Sequence, residues 1–217
     1  MIRLASRRRA AVPVAVALSA LVSFGVLGAG TAQATPTSLP KPPTPTCNPS
    51  VEPTWVDIMS YQVAPVVTDS LAVQVPDGAT GQRTETLINT DSVTTTVNNS
   101  TEIGAGLSIL FVKVEAKVGF SVMKTTSTTK TSQITTTWNL NKPGRYGLYR
   151  GTRKVQGEWV KYLCAATSPT TGVWINALNG GSGTFTTFEP PEIGAVSCAN
   201  QEPAGTLRRA VQIQLSC

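Results

Sequence analysis

Hydrophobic and polar positions alternate along this chain in three different textures. The first is a single block. Val12 to Gly28 is mostly apolar, with Arg3, Arg7, Arg8 and Arg9 before it and Ala32-Gln33-Ala34 after it. A positive stretch, an apolar run broken by Pro13 and a small-residue motif predict a secretory leader over residues 1–34 that is cleaved on export. The run is short for a bilayer crossing. The second texture consists of runs rich in β-branched and aromatic residues, separated by turn residues. Trp55 to Val67 and Ser70 to Val75 come first, the latter closed by Pro76-Asp77-Gly78. Gly144 to Tyr149 and Val155 to Leu163 follow, joined through Gly151 and Gly157, and then Val173 to Leu178, Thr184 to Phe188 and Leu207 to Leu215. Each predicts a strand. Outside the leader no ten-residue stretch has a convincing 3.6 period, so the predicted fold is all-β, built from elongated antiparallel sheets.

Residues Thr84 to Thr137 form the third texture. Ser and Thr hold 21 of its 54 positions and Pro holds none, which separates it from Pro-rich glycosylated stalks. Thr interleaved with Val, Ile, Leu, Phe and Trp suits long strands wetted on one face. Between the two Thr-rich arms, Gly104 to Met123 loses the hydroxyl bias and turns apolar. A fold-back at Glu115-Ala116 sets Leu107 opposite Val122, Ile109 opposite Phe120 and Phe111 opposite Val118, all on one side. Ser108, Lys117, Gly119 and Ser121 fall on the other side, with Leu110 and Val112 as exceptions. The same register pairs Thr101 with Thr128 and Thr95 with Ile134. It predicts a long Ser/Thr-rich two-stranded ribbon ending in an amphipathic hairpin. Such a ribbon does not stand alone in water; it lies against the rest of the molecule or awaits partners.

The chain therefore divides into a leader (1–34), a Pro/Thr-rich linker (35–53) and a single elongated β domain (54–217). Within that domain the 84–141 ribbon is flanked by a lobe of 54–83 plus 142–217. Removing the leader changes the charge. Of eighteen Lys and Arg, four leave with it, and fourteen cations against twelve acids give the exported chain a net charge of about +2. That excludes an electrostatic footprint for nucleic acid. All four cysteines, Cys47, Cys164, Cys198 and Cys217, lie in the exported part and predict two disulfides. Three pairings are possible; spacing favours Cys47 with Cys164 and Cys198 with Cys217, the second tying the C-terminal element back to its own preceding turn.

The sequence contains no histidine. Ser-His-Asp triads, Cys-His dyads and His-ligated metals are therefore excluded together, and no metal or cofactor is expected. Asp57, Asp69, Glu158 and Glu189 are available for two-carboxylate chemistry, but no spacing singles out a pair, and the chain is not expected to be an enzyme. Lys142, Arg145, Arg150, Arg153, Lys154 and Lys161 cluster around Tyr146, Tyr149 and Trp159. That composition suits anionic headgroups or acidic glycans, though charges that blunt a strand edge explain it better. Gly180-Gly181-Ser182-Gly183 lacks the strand and helix of a phosphate-binding loop and reads as a turn.

The Ser/Thr-rich arm, the amphipathic apolar segment, the second arm and the Lys142-Pro143-Gly144 turn together resemble the aerolysin-like β-pore-forming proteins, in particular their epsilon-toxin and mosquitocidal-toxin branch. The resemblance runs from Thr84 to Asn141, roughly a third of the exported chain. It implies a secreted monomer that oligomerises on a target-cell membrane and releases its central hairpin into a shared barrel. Leu107, Ile109, Phe111, Val118, Phe120 and Val122 would then face lipid, and Ser108, Lys113, Glu115, Lys117 and Ser121 the lumen or the tip. The alternative is a secreted monomeric β-sheet binding or inhibitor module that grips a protein or glycan through Tyr146, Tyr149, Trp159 and Trp174.

Overall fold

The computed structural model describes residues 32–34, 39–88, 93–124, 128–129, 133–176 and 181–217. Most of the expected leader lies outside them, as do residues 35–38 of the linker and Leu178 at the end of one predicted strand. The elements in chain order are β1 (Ala32–Ala34), β2 (Thr46–Cys47), β3 (Thr54–Val75), β4 (Gly81–Ile88), β5 (Val93–Thr94), β6 (Thr96–Val97), α1 (Ser100–Ile103), α2 (Gly106–Val118), β7 (Thr128–Thr129), β8 (Gln133–Leu140), β9 (Gly144–Ala166), β10 (Gly172–Asn176), β11 (Ser182–Phe188), β12 (Glu192–Ser197) and α3 (Leu207–Gln214). The fold is mostly β and antiparallel, as the sequence predicts.

Two strands of 22 and 23 residues, β3 and β9, form the axis. They pair antiparallel from Thr54↔Leu163 to Val75↔Gly144, which at ~3.3 Å per residue is a ladder about 70 Å long. The four runs separated in the sequence are thus two strands. The break expected between Val67 and Ser70 is a register shift at Thr68, with a second at Met59. Pro76-Asp77-Gly78 makes the expected turn, with Gly78 at φ 78° and the Ala79 N–H donating to the Pro76 carbonyl at 3.2 Å. On its other side β9 carries β12, β11 and β10 in succession, and β6 and β2 extend these outward.

Side-chain alternation gives each face of this ladder a different job. One face presents Val56, Ile58, Val155 and Trp159 in one half, with Phe185 of β11 beside them, and this half is covered by α2. In the other half Tyr149 and Val196 pack under Leu207 and Val211 of α3. The opposite face is polar over much of its length, where Ser60 donates to Glu158 at 3.1 Å and Gln156 donates to Gln62 at 3.3 Å. Its apolar cluster lies at the far end. There Val73, Val75 and Leu148 pack against Leu87, Trp138 and Leu140 of the β4–β8 pair.

Two expectations are overturned. Leu207–Leu215, expected as a strand from the alternation of Val211, Ile213 and Leu215, is the helix α3. Thr206 caps it, its hydroxyl accepting the Arg209 N–H at 3.1 Å, and Leu207, Val211 and Leu215 make a stripe at helical spacing that points onto the sheet. Glycines read as joints supply room for that stripe. Gly151 lies inside β9, and a methyl there would come within 2.7 Å of Leu207 Cδ1; one on Gly147 would come within 2.7 Å of Leu215 Cδ1 and 3.0 Å of Val211 Cγ1. Gly157 likewise lies against the Phe185 ring. The second overturned expectation is the central hairpin, which is helical. Both predicted disulfides are present, Cys47–Cys164 with Cα atoms 5.9 Å apart and Cys198–Cys217 at 4.9 Å.

Because the atoms nearest a methyl on Gly147 belong to the side chains of Leu215, Val211 and Val196, overpacking there should act on the helix and leave the long ladder paired. Gly147→Val is expected to cost about 2 kcal/mol, or roughly 6 °C in Tm by calorimetry. Amide exchange should accelerate in residues 207–214 while β3 and β9 stay protected.

Candidate functional site

The Thr-rich arms do form a ribbon. β4 pairs β8 from Gly81↔Leu140 to Ile88↔Gln133, and β5 pairs β7 through Val93↔Thr129 and Thr94↔Thr128. Thr hydroxyls link across it, Thr84 to Thr137 at 2.8 Å and Thr86 to Thr135 at 2.9 Å. The register differs from the expected one: Thr128 faces Thr94 and not Thr101, and Ile134 faces Leu87 and not Thr95. That slip of seven to eight residues leaves a longer span between the arms. The span is helical at its centre.

Residues Gly104 to Met123 are therefore not a hairpin. Glu115-Ala116 offers no residue suited to a tight turn, whereas Gly104 and Gly119 bracket the segment with positive φ of 50° and 78°. Gly119 ends α2 by donating its N–H to the Glu115 carbonyl at 2.9 Å, the left-handed glycine stop of a helix. The sequence carries a second period that the strand reading overlooked. Leu107, Leu110, Phe111, Val114 and Val118 recur at three- and four-residue intervals and fall on one side of α2, and Ile103 of α1 joins the same cluster. Gly106 lets the backbone approach the sheet, since a methyl there would lie 2.7 Å from Val56 Cγ2. Burial of this side against Val56, Ile58 and Trp159 outweighs the local β preference of Ile, Val and Phe.

The residues that the resemblance assigns to lipid are distributed by this helix. Phe111 is 1% exposed and Val122 5%; Leu107, Val118 and Phe120 are partly buried against the same cluster, and Ile109 is 42% exposed. Val112, one helical turn on from Ile109, is 57% exposed. Alpha-2 is thus apolar on the side it buries and also on part of the side it shows to water.

Polar contacts hold the segment to the sheet. Lys113 Nζ lies 3.7 Å from Asp57 Oδ2 and 4.3 Å from the Trp55 ring centroid. The Tyr61 hydroxyl donates to the Lys117 carbonyl at 3.4 Å. Glu115 closes the turn after the helix: Oε1 accepts the Val122 N–H at 3.0 Å and Oε2 pairs with Lys124 Nζ at 3.1 Å. The Val122 amide, then Lys124, hold its carboxyl below the ordinary value. Beyond it Met123 is bound at both backbone groups, its N–H donating to the Phe188 carbonyl at 2.8 Å and its carbonyl accepting the Thr187 hydroxyl at 2.7 Å. Phe120 sits under the Arg153 guanidinium, 3.8 Å away. Ser108, Lys117 and Ser121 are exposed.

The aromatic set expected to grip a partner is mostly not on the surface, and this expectation is corrected. Trp159 is fully buried and Tyr149 4% exposed, because both point to the face that the helices cover. Burial, and then the hydrogen bond to Glu192 Oε1 at 2.9 Å, push the Tyr149 phenol well above its ordinary value. Tyr146 packs against the β4–β8 core and donates to the Lys142 carbonyl at 2.9 Å. Trp174 is half-buried. The basic residues near them are dispersed as well. Arg153 makes a two-pronged pair with Glu189 at 2.5 and 2.7 Å, Arg150 is buried and faces Asp69 across the ladder, and Arg145 donates to the Leu215 carbonyl at 2.7 Å. The four carboxylates are separately engaged: Asp57 by Lys113, Glu158 by Ser60, Glu189 by Arg153, and Asp69 opposite Arg150. Among the described residues no group of acidic or sulfur ligands converges as a metal site, and no helix is long and apolar enough to cross a membrane.

No protein-family model matches the chain, and no curated protein matches it. A solved structure with some similarity is the crystal structure of the oligomeric pore-forming toxin pro-Monalysin. The match covers 75% of this chain and 72% of that one, at 13% sequence identity and a TM-score of 0.29. That is a distant likeness, and nothing is carried over from it.

The Glu115 contacts generate a pH prediction. A folded carboxyl titrating below 4.5 adds stability in full above that value and loses it as the pH falls through the lower folded value. Glu115→Gln is expected to lower stability by roughly 1 kcal/mol at neutral pH, or about 3 °C in Tm. The difference from the parent should close as the pH falls below 4.5.

Proposed function

We propose that the exported chain is an oligomerising, aerolysin-like pore-forming protein, in which residues 100–124 leave the sheet and re-pair as strands in a target membrane. The observation that carries this reading is the double period of Gly104 to Met123. One set of spacings builds the soluble helix on the core, and the other, alternating, set builds a hairpin apolar on one side. Strands enter hydrocarbon only as a closed barrel, and the paired Thr arms that flank the segment are ready to continue such a barrel's wall. In the inserted form Leu107, Ile109, Phe111, Val118, Phe120 and Val122 face lipid, and Ser108, Lys113, Glu115, Lys117 and Ser121 face the lumen or tip. The partners are a target-cell membrane and further copies of the chain. The 1–34 leader directs export and is cleaved in its course, and two disulfides accord with that compartment. The protein is read as non-enzymatic. A second reading, a monomeric binding module, draws on Val173 and Ile175 of β10, which are 44% and 47% exposed beside half-buried Trp174.

Positions 109 and 112 separate these readings because both are exposed on α2 and fall on opposite sides of a strand. Ile109→Cys and Val112→Cys are each labelled with a polarity-sensitive dye and mixed with dye-loaded liposomes. Insertion as strands should shift the 109 label strongly and the 112 label little, together with release of contents. Equal shifts at both positions mean a helix lying in the interface, which overturns the hairpin. Neither shift nor leakage means a binding module.

A further inference from the structure

The side of β3 turned away from β9 is a strand edge, and the described residues place one ladder on it: β1, through Ala32↔Val63, Gln33↔Gln62 and Ala34↔Tyr61. Long edges invite pairing by other chains unless they are guarded, and bulges, prolines and charges are the usual guards. Here the guards are placed around one short window. Register shifts at Met59 and Thr68 kink the strand, Pro65 lacks an N–H to offer, and Asp57 and Asp69 flank the region. From Ile58 to Thr68 there is no charged residue. Ser60 to Ala64, between the first bulge and Pro65, is left as a regular and uncharged stretch. It is the stretch that β1 covers.

We propose that Ser60–Ala64 is a strand-pairing surface for a second copy of this chain, held by Ala32–Ala34 in the full-length protein and bared when the leader is cleaved after Ala34. The sequence of the window is self-complementary about Gln62. An antiparallel two-fold there sets Gln62 against Gln62 of the second copy and Ser60 against its Ala64. Tyr61 then faces Val63 of the second copy, the aromatic-to-β-branched pairing that stabilises adjacent strands. No charge in the window opposes this approach. The contact is isologous, so it closes at a dimer, and it joins edge to edge two copies of the eight-stranded sheet less its β1 strand, seven strands from each copy. The inference rests on the expected cleavage and deepens the assembly step of the proposed function. It is independent of insertion, because it concerns the protein in water.

The test is sedimentation velocity of the oxidised chain beginning at Thr35, without lipid, over a range of micromolar concentrations. A concentration-dependent dimer is expected. Gln62 lies on the polar face with its amide near Gln156, so Gln62→Lys and Gln62→Glu should keep the fold and the Tm. Each alone should associate at least about fivefold more weakly, since like charges then face each other. Mixing the two should restore association as a heterodimer. A form that begins at Thr31 and so keeps Ala32–Ala34 should stay monomeric. A monomer at every concentration, or a dimer indifferent to both charges, overturns the surface. Equal association of the form that keeps Ala32–Ala34 overturns the guarding role. Leakage from liposomes is scored separately, so failure here is distinguishable from failure of insertion.

Discussion

Everything else in this molecule is laid against the antiparallel pairing of β3 with β9. Twenty residue pairs run along it, and each turns one side chain to either face, so the ladder sorts the sequence into two surfaces. One accepts α2 and α3 and builds two of the three apolar clusters; the other stays largely wet and gains a core only where the Thr ribbon starts. The two register shifts let the apolar faces of both strands remain in step over a length at which a perfectly regular pair would have to compensate for its twist.

That arrangement makes the central segment an outsider. Alpha-2 contributes Leu110, Phe111 and Val114 to the core but forms no part of the ladder, and beyond that buried side its attachment is a handful of polar contacts. Lys113 on Asp57 and Trp55, Tyr61 on the Lys117 carbonyl, and Glu115 on Val122 and Lys124 are all partly exposed contacts, of the kind individually worth little. None of the backbone pairs of β3 with β9 involves the segment, and Val56, Ile58 and Trp159 lie beneath it. A stable frame carrying a separable cover is the physical basis of the proposed function.

What the sequence made legible, and what it hid, follows from the same division. Runs with one period were read correctly in type: Trp55 to Val75 and Gly144 to Leu163 are strands, and Pro76-Asp77-Gly78 turns the chain. The joints within those runs were misread because Gly151 and Gly157 have two uses, flexibility and thinness, and only the packing of Leu207 and Phe185 reveals that thinness is the one needed. The two helices were hidden by side chains that satisfy both periods. In α3 the pair Val211 and Ile213 imitates a strand while Leu207, Val211 and Leu215 make the helical stripe. In α2 the intervals from Leu107 to Val118 carried the helical signal, and the missing turn residue at Glu115-Ala116 was the available warning. Buried Trp159 and Tyr149 were assigned to the surface because an aromatic in a strand does not declare which face is covered. Glu192 to Ser197, too rich in small residues to stand out, became β12 only by adding to β9.

The Cys47–Cys164 bond joins residues 117 apart, and the interval between them contains β3, the whole ribbon and α2. The segment proposed to move is therefore part of a covalent ring whose clasp lies at the end of β9, beside β10. In chain-entropy terms closing so large a ring removes about 5 kcal/mol of freedom from the unfolded state. Its mechanical meaning is containment: slack released when α2 lifts away is confined to the loop between the ribbon arms, and the clasped end, with the Trp55–Tyr162 ring contact next to it, acts as a fixed anchor against which that slack can be drawn out.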